Sequence, residues 1–194
     1  MQKNSMNDAH FLADLQARHN AGKRLKYVYF WGHKVGVSGI TSTCFSQWYK
    51  APFVINDERY ATAEHFMMAE KAALFEDGDA RTRILQASSP GAVKALGRGI
   101  RNFDETVWVA NRFEIVVRAN VAKFDQHPEL GEFLRQTGSR VLVEASPVDR
   151  IWGIGLAQGD ERASDPNRWN GLNLLGFALM QARDRALSSF QSRQ

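Results

Sequence analysis

Residues 62–75 have the sequence TAEHFMMAEKAALF, which predicts a helix buried in the protein core. Apolar side chains point in nearly every direction around this helix, and helices of that kind are usually buried. Thr62 is a favourable N-cap residue. Glu64 and Lys71 are two turns apart and lie within about 20° of each other around the helix axis. The segment therefore places a carboxylate and an ammonium on one face of a core helix.

The two charges on this helix have a structural and a functional interpretation. Burying a charge is costly unless the charge is paired or serves a ligand. Glu64 and Lys71 could form a structural ion pair, or Glu64 could simply occupy the first turn of the helix. Alternatively they belong to a binding or catalytic site, where perturbed ionisable groups concentrate. The sequence leaves both interpretations open.

The bulk properties describe an ordinary globular protein of 194 residues, with 44% hydrophobic and 24% charged residues. No apolar run approaches the roughly 20 residues of a membrane span, and the first residues contain no apolar core of a secretion signal. The single cysteine, Cys44, excludes an intrachain disulfide and a multi-cysteine metal cluster. We expect a cytoplasmic protein with no membrane partner.

The net charge of +4 favours an anionic partner. The charge is dispersed, so it indicates phosphate-bearing ligands without choosing between a nucleotide and a nucleic acid. The histidines His33, His65 and His127 lack the spacing of metal ligands, and we expect neither a metal nor another cofactor. The chain contains no Walker A motif, Rossmann glycine pattern or nucleophile elbow.

The hydrophobic periodicity predicts an α+β fold with more helix than sheet. We expect residues 1–26 to form a helical appendage and residues 27–190 to form the main domain. Short extended segments are predicted at residues 27–31, 44–48, 53–55, 59–60 and 141–143. Helices are predicted at residues 62–75, 79–87, 90–97, 105–124, 129–136 and 174–188.

Residues 149–155 are a second candidate for functional chemistry. They combine Asp149, Trp152, Gly153 and Gly155. Glycine lets backbone N–H groups approach a ligand closely, and an indole offers a face on which a base can stack. The alternative is an irregular turn around a packed tryptophan. We favour function, because binding residues are concentrated in such loops.

Two groups on the predicted helices have the chemistry of nucleotide binding. Trp108 and Arg112 lie one turn apart on the long helix, where they suit a base and a phosphate. A half-exposed packing tryptophan would give the same pattern. Lys94, Arg98 and Arg101 are a scattered basic group, for which a solvated surface is the usual outcome.

An ordered set of motifs runs through residues 28–188. It consists of Phe45-Ser46-Gln47-Trp48, Tyr60-Ala61-Thr62-Ala63-Glu64-His65, Lys71, Ser88-Ser89-Pro90, Gly97-Arg98, Trp108, Lys123-Phe124-Asp125-Gln126-His127-Pro128, Trp152-Gly153 and Asn173-Leu174-Leu175-Gly176. The set resembles the NADAR (YbiA-like) family. This resemblance implies a compact, mainly helical domain with a few short strands and N-glycosidase activity, which cleaves the bond between ribose C1 and a base-like nitrogen.

The resemblance also implies two branches of substrate and a set of active-site positions. One branch acts on phosphoribosylamino-pyrimidine intermediates of riboflavin biosynthesis, and another removes ADP-ribose from guanine in nucleic acid. Carried onto this chain, the active-site positions are Glu64, Lys71, Trp108, Asp149 and Trp152.

Each of these residues has an expected role in breaking an N-glycosidic bond, a reaction that makes the ribose positive and the base negative. The helix dipole favours an ionised Glu64, which would stabilise the ring or activate water. Lys71 would pair with Glu64, hold a phosphate or ribose hydroxyl, or attack C1. Asp149 is the expected second carboxylate. The expected substrate-binding residues are Trp48, Trp108, Trp152 and Gly153 for the base, and Arg98 and Arg112 for phosphate.

The chain departs from the family pattern at three places. Ile154 stands where enterobacterial riboflavin-type members carry an acid, the loop from Gln158 to Trp169 is longer, and residues 1–26 have no clear counterpart. These differences favour the ADP-ribosyl branch, with nucleic acid as a carrier of the substrate. The alternatives from other classes are a module that binds NAD or ADP-ribose without cleaving it and a sequence-independent nucleic-acid binder, whose binding would depend steeply on salt.

Overall fold

The computed structural model describes residues 8–34, 36 and 39–191. Its helices are α1 Ala9–Asn20, α2 Ala63–Leu74, α3 Gly78–Gln86, α4 Pro90–Arg98, α5 Glu105–Gln126, α6 Pro128–Arg135 and α7 Leu174–Gln191. Its strands are β1 Tyr27–Phe30, β2 Phe53–Ile55, β3 Glu58–Tyr60 and β4 Val141–Glu144. The predicted α+β fold with more helix than sheet is confirmed.

The parallel pair β1–β4 divides the interior into two hydrophobic clusters. The strands pair from Tyr27 with Val141 to Phe30 with Glu144. Because successive side chains of a strand point to opposite faces, Phe30 and Leu142 contribute to one cluster and Val141 and Val143 to the other. Both strands end at the same edge of this small sheet.

The central helix α5 packs against α2 and α7 in the larger cluster. The core position predicted for α2 is confirmed, because Phe66, Met67 and Ala69 are all buried. The predicted N-cap is also confirmed, since the Thr62 hydroxyl accepts a hydrogen bond from the backbone N–H of His65. The hairpin β2–β3 turns at Asn56 and Asp57, both at positive φ.

The prediction of an extended segment at residues 44–48 was wrong. Residues Ser42–Phe45 form a 3₁₀ turn, in which the backbone N–H groups of Cys44 and Ser46 donate to the carbonyls of Thr41 and Thr43. Local turn bonds therefore satisfy this backbone, and apolar residues in the sequence do not distinguish that arrangement from a short strand.

Helix α1 is confirmed over Ala9–Asn20, and residues 1–7 of the predicted helical segment lie outside the described residues. The helix docks on the main domain. The Phe11 ring stacks at 4.3 Å from Phe113 and 5.5 Å from Phe177, measured between ring centroids. At its start, Asp8 forms a buried ion pair with Arg112 at 2.7 Å.

No helix within the described ranges is both long enough and apolar enough to span a membrane.

Gly176 marks the closest approach of α7 to β4. A Cβ atom at this position would fall on the carbonyl oxygen of Leu142, which is backbone and cannot turn aside. We expect Gly176→Ala to lower the free energy of unfolding by about 3 kcal/mol, as overpacking of a dense core does. Gly159→Ala is the matched control, because nothing lies within 4 Å of its Cβ position. Urea denaturation of both variants measures the difference, and equal stabilities would contradict this account of the α7–β4 contact.

Candidate functional site

A cavity of about 460 Å³ opens at the edge where β1 and β4 end. Its lining comes from the chain after β1, the turn at residues 46–48, helices α2 and α4, the chain after β4 and the start of α7. The carboxyl ends of parallel strands are a common place for ligand sites, because the connections diverge there and leave a crevice. This edge brings together segments that are far apart in sequence.

Helix α5 holds the wall at residues 44–48 from behind. The Lys123 ammonium donates to the carbonyls of Cys44 at 2.6 Å and Ser46 at 3.0 Å. The Asn120 side chain donates to Gln47 Oε1 at 3.0 Å. Burial lowers the pKa of Lys123 to about 7, so both its charged and its neutral form are present at neutral pH. The wall beside Trp48 is thus fixed by polar groups of the core.

The loop after β4 is held by its own side chains. Asp149 Oδ1 accepts hydrogen bonds from the backbone N–H groups of Ile151 at 2.9 Å and Trp152 at 2.8 Å. The Asn173 side chain bridges to β4, accepting from the Glu144 N–H and donating to the Leu142 carbonyl. These bonds present Asp149 and Trp152 to the cavity.

Glu64 lies in the cavity wall with only 3% of its surface exposed. Its Oε1 atom is buried without a hydrogen-bond partner among the described residues. Burial raises the pKa of Glu64 to about 7, against the opposing effects of Lys94 and a hydrogen bond from the Trp48 side chain. The helix dipole favours the ionised form of Glu64, but burial outweighs this effect, and at a pKa of about 7 roughly half of the carboxyl groups are ionised at pH 7. A dipole contributes about 0.3–1 kcal/mol at a helix end, which is less than desolvation costs a buried carboxylate.

Lys71 also lines the cavity, but it is not bound to Glu64. Its ammonium donates to the Gly97 carbonyl at 3.0 Å and lies 4.2 Å from the centroid of the Phe103 ring. Partial burial lowers the pKa of Lys71, and Glu105 opposes this effect. The two charges of α2 therefore face one cavity as separate groups rather than as a structural ion pair.

Glu144 and Lys94 complete the charged lining, and neither stood among the residues assigned to the site from the sequence. Burial, together with the nearby Asp149 and Glu64 carboxylates, raises the pKa of Glu144 to about 8. One signal in the sequence could have identified Glu144, because it directly follows the strand predicted at residues 141–143. Residues at the carboxyl ends of parallel strands lie at the ligand-binding edge of a sheet. Lys94 appeared only as part of a basic group on a predicted solvated surface.

Aromatic side chains cover much of the remaining lining. Trp48 and Trp152, which were predicted to bind the base, both line the cavity. Trp31 lies at its mouth with 61% of its surface exposed. Trp108 is 7% exposed and stays outside the described lining, with its ring 5.4 Å from the Lys71 ammonium. Trp108 therefore packs beside Lys71 in the core and does not contact the cavity directly.

The predicted phosphate ligands are separated by the fold. Arg98 is exposed and lines the cavity. Arg112 is instead buried in the ion pair with Asp8, a partner that the sequence gave no means to identify. Gly153 lies behind the lining, where a Cβ would come within 2.9 Å of the Glu144 carbonyl, so it serves the packing of the loop.

The positions that depart from the family pattern also lie away from the cavity. Ile154 is fully buried in the smaller hydrophobic cluster. The longer loop packs on α1, where Gln16 donates to the Pro166 carbonyl at 3.0 Å and Asn20 bonds with Asn167. The described lining includes no residue of either segment. These departures therefore carry no direct information about the substrate.

The raised pKa of Glu64 predicts how stability changes with pH. The folded protein keeps this proton up to about pH 7, whereas the unfolded chain releases it near the ordinary value of 4.5. Stability contributed by the neutral carboxyl is present below pH 4.5 and is lost as pH rises to 7. The free energy of unfolding of the wild type should therefore fall by about 3 kcal/mol more than that of Glu64→Gln between pH 4.5 and pH 7.

Urea denaturation between pH 4.5 and 8 measures the effect, with Glu129→Gln on the exposed side of α6 as control. Parallel stability curves for Glu64→Gln and the wild type would show that Glu64 titrates as an ordinary carboxylate.

Comparison with known proteins identifies the family. An N-glycosidase of Acanthamoeba polyphaga mimivirus is 42% identical over 164 residues, which cover 82% of this chain and 95% of that protein. Riboflavin biosynthesis protein PYRR of Zea mays is 33% identical over 137 residues, 67% of this chain and 20% of that protein. The NMR structure of Escherichia coli YbiA is similar with a TM-score of 0.69 and 25% identity, over 87% of this chain and 89% of that one. A family model of the NADAR domain matches residues 29–187, and the chain belongs to this family.

Proposed function

We propose that this protein is an N-glycosidase that removes ADP-ribose from ADP-ribosylated guanine in nucleic acid. Relatives named N-glycosidases support the general reaction, hydrolysis of a bond between ribose C1 and a base nitrogen. The observation that carries the proposal is the meeting of buried Glu64, Lys71 and the indoles of Trp48 and Trp152 in one cavity. The choice of an ADP-ribosyl group on nucleic acid, rather than a smaller substrate, rests on the cations of α4 and on Trp31 at the cavity mouth.

Glu64 has the properties of a general base in this reaction. Its pKa of about 7 lies near neutral pH, where a carboxylate both exists in quantity and accepts a proton effectively. Water attacks C1 of the ribose and gives its proton to Glu64. The bond from C1 to the base nitrogen breaks, and its electron pair leaves with the base. The Asp149 carboxylate adds negative charge beside the developing positive ring.

Lys71 has two roles that its surroundings support. As an ammonium it would hold a ribose hydroxyl or a phosphate oxygen. As a neutral amine it would attack C1 and form a Schiff base with the opened sugar, which water then releases. The lowered pKa increases the neutral fraction and thereby favours the second route. Borohydride reduction during turnover would trap that intermediate as a stable adduct and distinguish the routes.

The cations of α4 favour a substrate with more than one phosphate. Lys94 and Arg98 are one turn apart on the same face of this helix, and both line the cavity. Two adjacent cations suit the diphosphate of ADP-ribose. The exposed Trp31 at the mouth offers a stacking surface for a base that neighbours the modified one in a polynucleotide.

The second candidate substrate is a phosphoribosylamino-pyrimidine of riboflavin biosynthesis. The similarity to the Zea mays riboflavin biosynthesis protein favours it. Ile154 no longer counts against it, because this side chain is buried away from the cavity. The same cations would then hold one phosphate, and the same indoles would wall the pyrimidine.

Product analysis separates these substrates. The purified protein is incubated with an oligonucleotide that carries ADP-ribosylated guanine and, separately, with the phosphoribosylamino-pyrimidine. Free ADP-ribose from the first supports the proposal, and ribose 5-phosphate from the second alone assigns the riboflavin-type reaction. Binding of ADP-ribose with no product from either would overturn the glycosidase assignment and leave a binding module.

Glu64→Gln tests the general base. We expect kcat to fall by about 10²- to 10⁴-fold, the usual contribution of a positioned acid or base, while the substrate still binds. Glu70→Gln on the same helix is the control, since Glu70 pairs with Arg118 outside the described lining. Isothermal titration calorimetry on the variant measures binding. A variant that keeps its kcat would exclude Glu64 from the chemistry.

A further inference from the structure

Glu144 is a partly buried acid without an assigned task. Its backbone is fixed, because its N–H donates to Asn173 Oδ1 at 2.9 Å and its carbonyl accepts from the Ile154 N–H at 2.9 Å. The residue lines the cavity, and its Oε2 atom is buried without a hydrogen-bond partner among the described residues. An unsatisfied buried oxygen is costly unless it serves a ligand.

Burial is the main cause that favours a protonated Glu144, and neighbouring charges add to it. The Asp149 and Glu64 carboxylates both disfavour its ionised form, and Lys94 opposes them. His33, Lys71 and Arg98 are the other titratable groups of the cavity lining. Glu64, by contrast, receives a hydrogen bond from the Trp48 side chain that favours its anion. Both pKa values are raised, and the hydrogen bond from Trp48 makes Glu64 the group that ionises more readily, which suits Glu64 to the base and Glu144 to the acid.

We propose that Glu144 is the acid that protonates the leaving base, an inference that rests on the proposed glycosidase function. As the bond from C1 to nitrogen breaks, the Glu144 carboxyl gives its proton to the base nitrogen that takes the electron pair. Water adds to C1 and its proton passes to Glu64. Each turnover consumes one water, and a proton from Glu64 to Glu144 through solvent restores both groups.

Asp149 is less suited to donate this proton. Its Oδ1 atom already accepts two backbone N–H groups of its own loop. Its charge instead favours the protonated form of Glu144, and it has the same direction of effect on Glu64. Asp149 is therefore a positioning residue for the acid as well as a negative charge beside the ribose.

Leaving-group dependence tests the proposal. One substrate is the base glycoside that the wild type cleaves, and the other carries nitrophenol in place of the base on the same ribosyl group. Nitrophenolate leaves without a proton. We expect Glu144→Gln to lower kcat on the base glycoside by about 10²- to 10⁴-fold and on the nitrophenyl glycoside by less than about tenfold. Equal losses on both substrates, or no loss on either, would overturn the assignment.

The wild type provides a second test that needs no variant. Its activity on the base glycoside should decline as pH rises through about 8, where Glu144 loses its proton, and its activity on the nitrophenyl glycoside should not. A decline with the same midpoint on both substrates would contradict the proposal, even where Glu144→Gln fails to fold by circular dichroism.

The matched control is Glu129→Gln, an exposed acid on α6 that should behave as the wild type with both substrates. A wild type that releases no base from either natural substrate refutes the proposed function, and this inference with it. An active wild type with an unaffected Glu144→Gln variant refutes the inference alone.

Discussion

The parallel pairing of β1 with β4 is the constraint on which the cavity depends. Because both strands run in the same direction, the chain leaves both of them at one edge of the sheet. That edge receives Trp31 from one strand and Glu144 from the other, and α2 brings Glu64 to the same place. An antiparallel pair would have put the two strand ends on opposite edges. The chemistry of the site is therefore a consequence of strand direction.

Polar groups in the interior hold this edge open. The core around α5 contains Lys123 and Asn120, which are both fully buried and bind the wall at residues 44–48. Apolar packing alone would let such an irregular segment collapse onto the core, since it has no ladder of backbone bonds. The buried hydrogen bonds instead fix its carbonyls in one arrangement. Burial of the Lys123 side chain costs free energy, and its structural role is to hold the wall of the cavity through these hydrogen bonds.

The sequence predicted elements whose cause is local and failed where the cause is distant. Helix α2, its cap at Thr62 and the hairpin β2–β3 follow from periodicity, capping and turn residues, and all are present. Side chains of α5, more than seventy positions away, hold the wall at residues 44–48 in place. Arg112 was predicted to reach a phosphate, but its partner Asp8 lies 104 positions away in sequence. Periodicity carries no information about such pairs.

The protonation state of Glu64 is a second property that the local sequence does not predict, because it depends on burial in the fold. Its place in the first turn of a helix was visible in the sequence, and the dipole of that turn favours a carboxylate. Its 3% exposure became visible only in the fold, and desolvation dominates because it acts on the whole charge while the dipole acts through partial charges. The cavity desolvates both acids, and a hydrogen bond to only one of them makes that one ionise more readily. Neither the identity of Glu64 nor that of Glu144 contains the difference between them, because the hydrogen bond from Trp48 reaches only Glu64, whereas Lys94 and Asp149 act on both groups.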